Sequence, residues 1–190
     1  MEEFKKFDEI NKPDIRNTFY VAIDKETGTQ HPITLKDVYE SISLVNLSDS
    51  VPEEIRSQFN IVKNLYLYTW HCYAFFQVVE LKCFSVLEYA LKWVVSDEDI
   101  WGAYTLILKA VETGKITEEF IKKDMALEHI TENHYKEFAR SFSNLRNTLA
   151  HGSTMLHSLS LDVVYRCSLL INHLFEDDSE QAVDYHEISS

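Results

Sequence analysis

Residues 58–95 read QFNIVKNLYLYTWHCYAFFQVVELKCFSVLEYALKWVV, a run without a single glycine or proline. Apolar side chains recur at Val62, Leu65 or Tyr66, Trp70, Tyr73, Leu81, Phe84 and Leu91, with Gln77 and Glu88 as polar exceptions on the same line. Steps of three and four are the helical period, and a stripe this wide predicts the central helix of a core. Unbroken, it would reach roughly 50 Å at about 1.5 Å per residue, so a kink or break is expected before Tyr73. On this helix Glu88 is expected to pair with Lys92 one turn on, and Glu80 to reach solvent.

The rest of the chain agrees with a folded, mostly helical protein. Its 190 residues fit one domain with a small appendage, and the 45% hydrophobic and 13% aromatic fractions exclude disorder. The apolar region is interrupted by His71, Gln77, Glu80, Lys82, Glu88 and Lys92, which argues against a membrane span. No signal peptide is read at the start. Cys72, Cys83 and Cys167 are odd in number and lack a CxxC spacing, which suits a reducing compartment. The expected location is cytoplasmic. A net charge of −13 works against non-specific binding to nucleic acid, while leaving room for a local site with one or two cations.

Residues 1–48 differ from the body. NTFYVAIDKETGTQHPITL predicts a hairpin turning at Lys25-Glu-Thr-Gly28, and Thr34 with Asp37 predicts a capped helix running to about Asn46. Ser50-Val-Pro-Glu53 reads as a capping box opening the helical domain, residues 49–178. Ser96-Asp97 closes the long helix and caps the next, which stops at Gly114, and Thr117 caps a short one through Leu127. Thr131 starts a helix with its seam at Tyr135, Phe138, Phe142, Leu145 and Leu149. A final helix opens at Ser158 or Ser160, with Leu161, Val164, Tyr165, Ser168, Leu169, Asn172 and Phe175 inward. Residues 179–190 form an acidic tail without periodicity, expected to be flexible. The fold class is all-α, an up-and-down helical bundle of four to five core helices with a small N-terminal β-hairpin-like extension.

The helix from Thr131 ends in LRNTLAHG, residues 145–152. The negative end of a helix dipole welcomes arginine and histidine, and glycine is a common stop, so Arg146, His151 and Gly152 satisfy a plain C-terminal cap. Asn147 is less easily explained, since asparagine is a poor residue for a helix interior. Arg146-Asn-Thr-Leu-Ala-His151 resembles the signature of the HEPN superfamily: an arginine, a polar residue after it, and a histidine beyond four to six intervening residues. Glu88-Tyr-Ala90-Leu91 on the long helix is similar to that superfamily's acid followed by an alanine–leucine pair. The resemblance covers about residues 55–176.

It implies a four- to five-helix bundle that cleaves RNA without metal or cofactor, in a toxin or antiviral defence setting, working as a homodimer, with an antitoxin or regulatory protein as a further candidate partner. Arg146, Asn147 and His151 would be the catalytic residues, with Glu88 supporting them by family analogy. RNA carries its own nucleophile, the 2′-hydroxyl, so the protein need only move protons and stabilise charge. Histidine changes charge near neutral pH, and arginine offers a planar fork to a phosphate. Residues five apart point about 140° away from each other on an ideal helix, so convergence needs unwinding near Gly152, a reaching arginine, or two chains joined about a two-fold axis. Two other readings remain: a HEPN-like module that binds RNA or protein without cutting, and a structural interaction protein in which RNTLAHG is only a cap.

His129 with His134, and His151 with His157, lack the HExxH spacing and any nearby cysteine, so no metal site is expected. Trp70, Tyr73, Phe75, Phe76, Trp93 and Trp101 are read as core or dimer interface. No glycine-rich phosphate loop or nucleophile elbow occurs.

Overall fold

The structure, a computed structural model, describes residues 3–24, 26–95, 102–151 and 160–176. Seven α-helices and one two-stranded antiparallel sheet are found among them. Two 3₁₀ turns, Phe7–Glu9 and Ile15–Phe19, precede β1 (Val21–Ile23) and β2 (Gln30–Pro32). The helices are α1 (Leu35–Ser43), α2 (Glu53–Tyr68), α3 (Phe75–Val95), α4 (Ala103–Glu112), α5 (Glu118–Met125), α6 (Glu132–Ala150) and α7 (Ser160–Leu174). Gly152, Ser96-Asp97, Trp101, His157, Ser158 and the acidic tail lie outside the described residues. Among the described residues no helix is long and apolar enough to cross a membrane.

Local signals place many of the ends. The hairpin pairs Val21 with Pro32 and Ile23 with Gln30, and Gly28 takes the left-handed φ of +69° that its turn requires. Thr34 caps α1 in a reciprocal box with Asp37, and Thr117 Oγ1 accepts the Phe120 N–H at 3.2 Å to open α5. Gly114, also left-handed at +74°, follows the end of α4. Ser50 does not cap α2: its hydroxyl turns to Ser48 Oγ at 3.0 Å, and the helix begins after an extended Pro52.

The long apolar run is broken into α2 and α3 across residues 69–74, and distant residues hold the break. Asp14 N–H donates to the Trp70 carbonyl at 2.8 Å, and Asn17 Nδ2 donates to the Thr69 and Trp70 carbonyls at 3.1 and 2.9 Å. Asp14 Oδ2 accepts the Tyr73 N–H at 2.9 Å, and Arg16 grips the same carboxylate at 2.6 and 2.8 Å. Burial alone would raise the Asp14 carboxyl; the Arg16 side chain and the N–H groups of Tyr73 and Arg16 overcome it and hold the group down at about 2. A carboxylate whose folded value is depressed stabilises the fold above its unfolded value near 4, and that stability fades as pH falls through about 2. Asp14→Asn is therefore expected to lower stability by about 2 kcal/mol at neutral pH. Urea unfolding should also show a flatter dependence between about pH 4 and 2 than the wild type gives.

α3 is the centre of the body and packs on α2, α4, α6 and α7. Its inner face is Val79, Glu80, Cys83, Phe84, Leu87, Ala90 and Leu91. This differs from the expected stripe: Leu81 turns outward, and Glu80, expected in solvent, is 1% exposed and accepts the Ser160 hydroxyl proton. The periodicity misled because α3 is apolar on its outer side too, where Phe75, Val78, Tyr89 and Trp93 are exposed. On α7, Tyr165 and Leu169 likewise face outward, while Val164, Cys167, Ser168, Ile171 and Leu174 pack inward. Asn172, expected in the core, accepts the Ser48 N–H at 2.8 Å and donates to the Asn46 carbonyl at 3.2 Å, clamping the α1–α2 linker. The seam of α6 is as read, with Phe138 and Phe142 buried and Tyr135, Leu145 and Leu149 packed against the core.

Candidate functional site

α6 carries Arg146, Asn147 and His151, and its register follows from the buried Phe138 and Phe142 one and two turns earlier. With those rings fixed inward, position 146 falls at the edge of α6 facing α3. There Arg146 Nε donates to Glu88 Oε1 at 3.0 Å. The side chains are 36% and 18% exposed, which makes a half-buried ion pair and not a loose surface contact. Glu88, expected to pair with Lys92 along its own helix or to support the arginine from a neighbouring one, does meet Arg146 across the helix packing, 58 residues away in sequence. Glu88 thus engages the Nε edge of the guanidinium and restrains its orientation, while the arginine side chain stays partly exposed. Asn147 Oδ1 lies 3.4 Å from Arg146 Nη1, so the amide is placed beside the guanidinium.

Arg146 and Asn147 line an open groove of about 490 Å³ between the start of α4 and α6. Tyr104, Arg140, Ser143 and Asn144 complete its working wall, with Glu88 at its floor. Among the described residues that line it, two guanidinium groups thus stand against one carboxylate in a chain whose net charge is −13. A larger depression of about 730 Å³ between α2 and α3 is edged by Glu53, Glu54, Lys82 and Tyr89, and its pair of carboxylates repels a polyanion.

His151 is the C-terminal cap residue of α6, with φ −89°, and its N–H donates to the Asn147 carbonyl at 3.0 Å. Its imidazole is exposed and stands outside the groove that Arg146 lines. The structure therefore brings Arg146 and Asn147 together and leaves His151 beyond them, as the near-140° rotation over five residues requires. Neither residue is entombed. Among the described residues, His151 is not one of those that line this groove with Arg146.

Sequence reasoning passed over Arg140, Tyr104 and Asn144. Arg140 and Asn144 sit one turn apart on the stripe that continues to Asn147, a helical spacing that was available to find them. Tyr104 arrives from α4, and no local pattern signals it. No protein-family model matches this sequence, and no match to a curated protein or to a solved structure is found.

Proposed function

We propose that the chain is a HEPN-type, metal-independent endoribonuclease whose helices form the up-and-down bundle of that superfamily, in a toxin or antiviral defence setting. The observation that carries this reading is the Arg146 guanidinium, oriented by Glu88 and open to a groove that Asn147 and Arg140 also line. In the reaction the 2′-oxygen of the RNA attacks the adjacent phosphorus and loses its proton to a base. The 5′-oxygen leaves and takes up a proton, giving a 2′,3′-cyclic phosphate and a 5′-hydroxyl. Arg146 stabilises the charge that builds on the phosphoryl oxygens, Asn147 binds one of them, and His151 moves a proton.

A homodimer supplies what one chain lacks, since a two-fold arrangement lets His151 of one protomer approach Arg146 of the other. The outer face of α3 beside Glu88 is suited to that contact: Tyr89 and Trp93 meet edge to face at 5.9 Å, and both are exposed. The same separation of His151 from Arg146 supports a second reading, a HEPN-like module that binds RNA or protein without cutting.

Purified protein incubated with single-stranded RNA in EDTA tests the first reading. Cleavage with cyclic-phosphate ends is expected, and Arg146→Ala should lower its rate by about a hundredfold or more. Binding without cleavage would move the second reading ahead.

A further inference from the structure

The groove that Arg146 and Asn147 line is also lined by Arg140, Asn144 and Tyr104. Along α6, Arg140 and Arg146 are separated by a rise of about 9 Å at about 1.5 Å per residue, and Asn144 lies one turn from Arg140 on the same exposed stripe. Across the groove stands the half-buried ring of Tyr104 on α4. Among the described residues no carboxylate lies within ion-pair distance of Arg140, in contrast to Arg146. A guanidinium on the groove wall with no carboxylate partner among the described residues favours an anion there. The volume of about 490 Å³ is within the range of small-ligand sites.

We propose that Tyr104, Arg140 and Asn144 form a nucleotide-binding subsite, which rests on the nuclease reading and extends its substrate by one position. Arg140 takes the phosphate neighbouring the scissile one. The Tyr104 ring stacks on the intervening base, and the Asn144 amide hydrogen-bonds that base's edge. An acidic peptide would use the guanidinium groups but leave the aromatic face and the amide without a role. Single-stranded RNA uses all three, because its bases are free to turn out of a stack.

The test is binding of a short fluorescein-labelled single-stranded RNA whose riboses are 2′-O-methylated, so that it cannot be cut. Arg140→Ala and Tyr104→Ala should each weaken binding by about tenfold, while Tyr104→Phe, which keeps the stacking face, binds as the wild type does. Arg140 is exposed, so its variant should melt at the wild-type temperature, and Tyr104→Phe guards against a folding defect in Tyr104→Ala. Wild-type affinity in both alanine variants overturns the subsite, as does failure of the wild type to bind. If the wild type cuts unmodified RNA and Arg140→Ala and Tyr104→Ala bind and cut as it does, the subsite is wrong and the nuclease stands. If the binding losses appear and no RNA is ever cut, the subsite stands and the nuclease reading fails.

Discussion

Replacing His151 with alanine is expected to lower RNA cleavage in EDTA by about two to four orders of magnitude, the range over which a positioned proton-transfer group acts. The fold should not notice. His151 sits at the exposed end of α6, where its backbone N–H, unchanged by the substitution, makes the capping bond to Asn147. Losing a cationic side chain near a helix C-terminus costs about 0.3–1 kcal/mol at most. Activity and stability therefore separate at this position. If the imidazole is merely a cap, cleavage by the variant equals that of the wild type and only the small change in melting remains.

Phe138→Ala is expected to act in the opposite sense, through the fold. The ring is 0% exposed, meets Phe142 edge-on at 5.3 Å and Phe120 at 6.2 Å, and Phe120 in turn stacks on His173 at 4.4 Å. His173 is itself fixed, since its Nε2 accepts the Thr117 N–H at 3.2 Å. Truncation removes the buried apolar surface and leaves a cavity among rings that hold one another, at a cost of about 3–5 kcal/mol. Single domains have about 5–15 kcal/mol in total, so the variant should be largely unfolded slightly above room temperature. Urea unfolding measures this. A loss under about 1 kcal/mol would show that α6 is not anchored by Phe138, and the register that brings Arg146 to Glu88 would have no support.

What could be read from sequence was local. The Thr34–Asp37 box, the Thr117 cap, the Gly28 turn and the seam of α6 are each specified by residues within a few positions of one another, and each is found. That a break must interrupt residues 58–95 followed from length, but its position is set by Asp14 and Asn17, more than fifty residues away. The phase of α3 was lost because both of its faces are apolar. The role of Glu80 was lost for a related reason, since its partner Ser160 lies on another helix, and intrahelical spacing alone did not offer Arg146 to Glu88, which only the family resemblance placed near it. At the candidate site Arg146 and Asn147 were legible from their motif. Their groove was not, because Tyr104 comes from α4 and the wall it forms with Arg140 exists only after packing.

In the proposed dimer, one protomer's guanidinium and the other's imidazole act on the same phosphodiester. Arg146→Ala and His151→Ala proteins, each inactive alone, can be mixed in equal amounts under conditions that exchange subunits, and RNA cleavage in EDTA measured. Half the dimers are then mixed and each has one cleft with both residues intact, so the account predicts recovery of about a quarter of the wild-type rate. A fully exchanged mixture as inactive as its two components would contradict it.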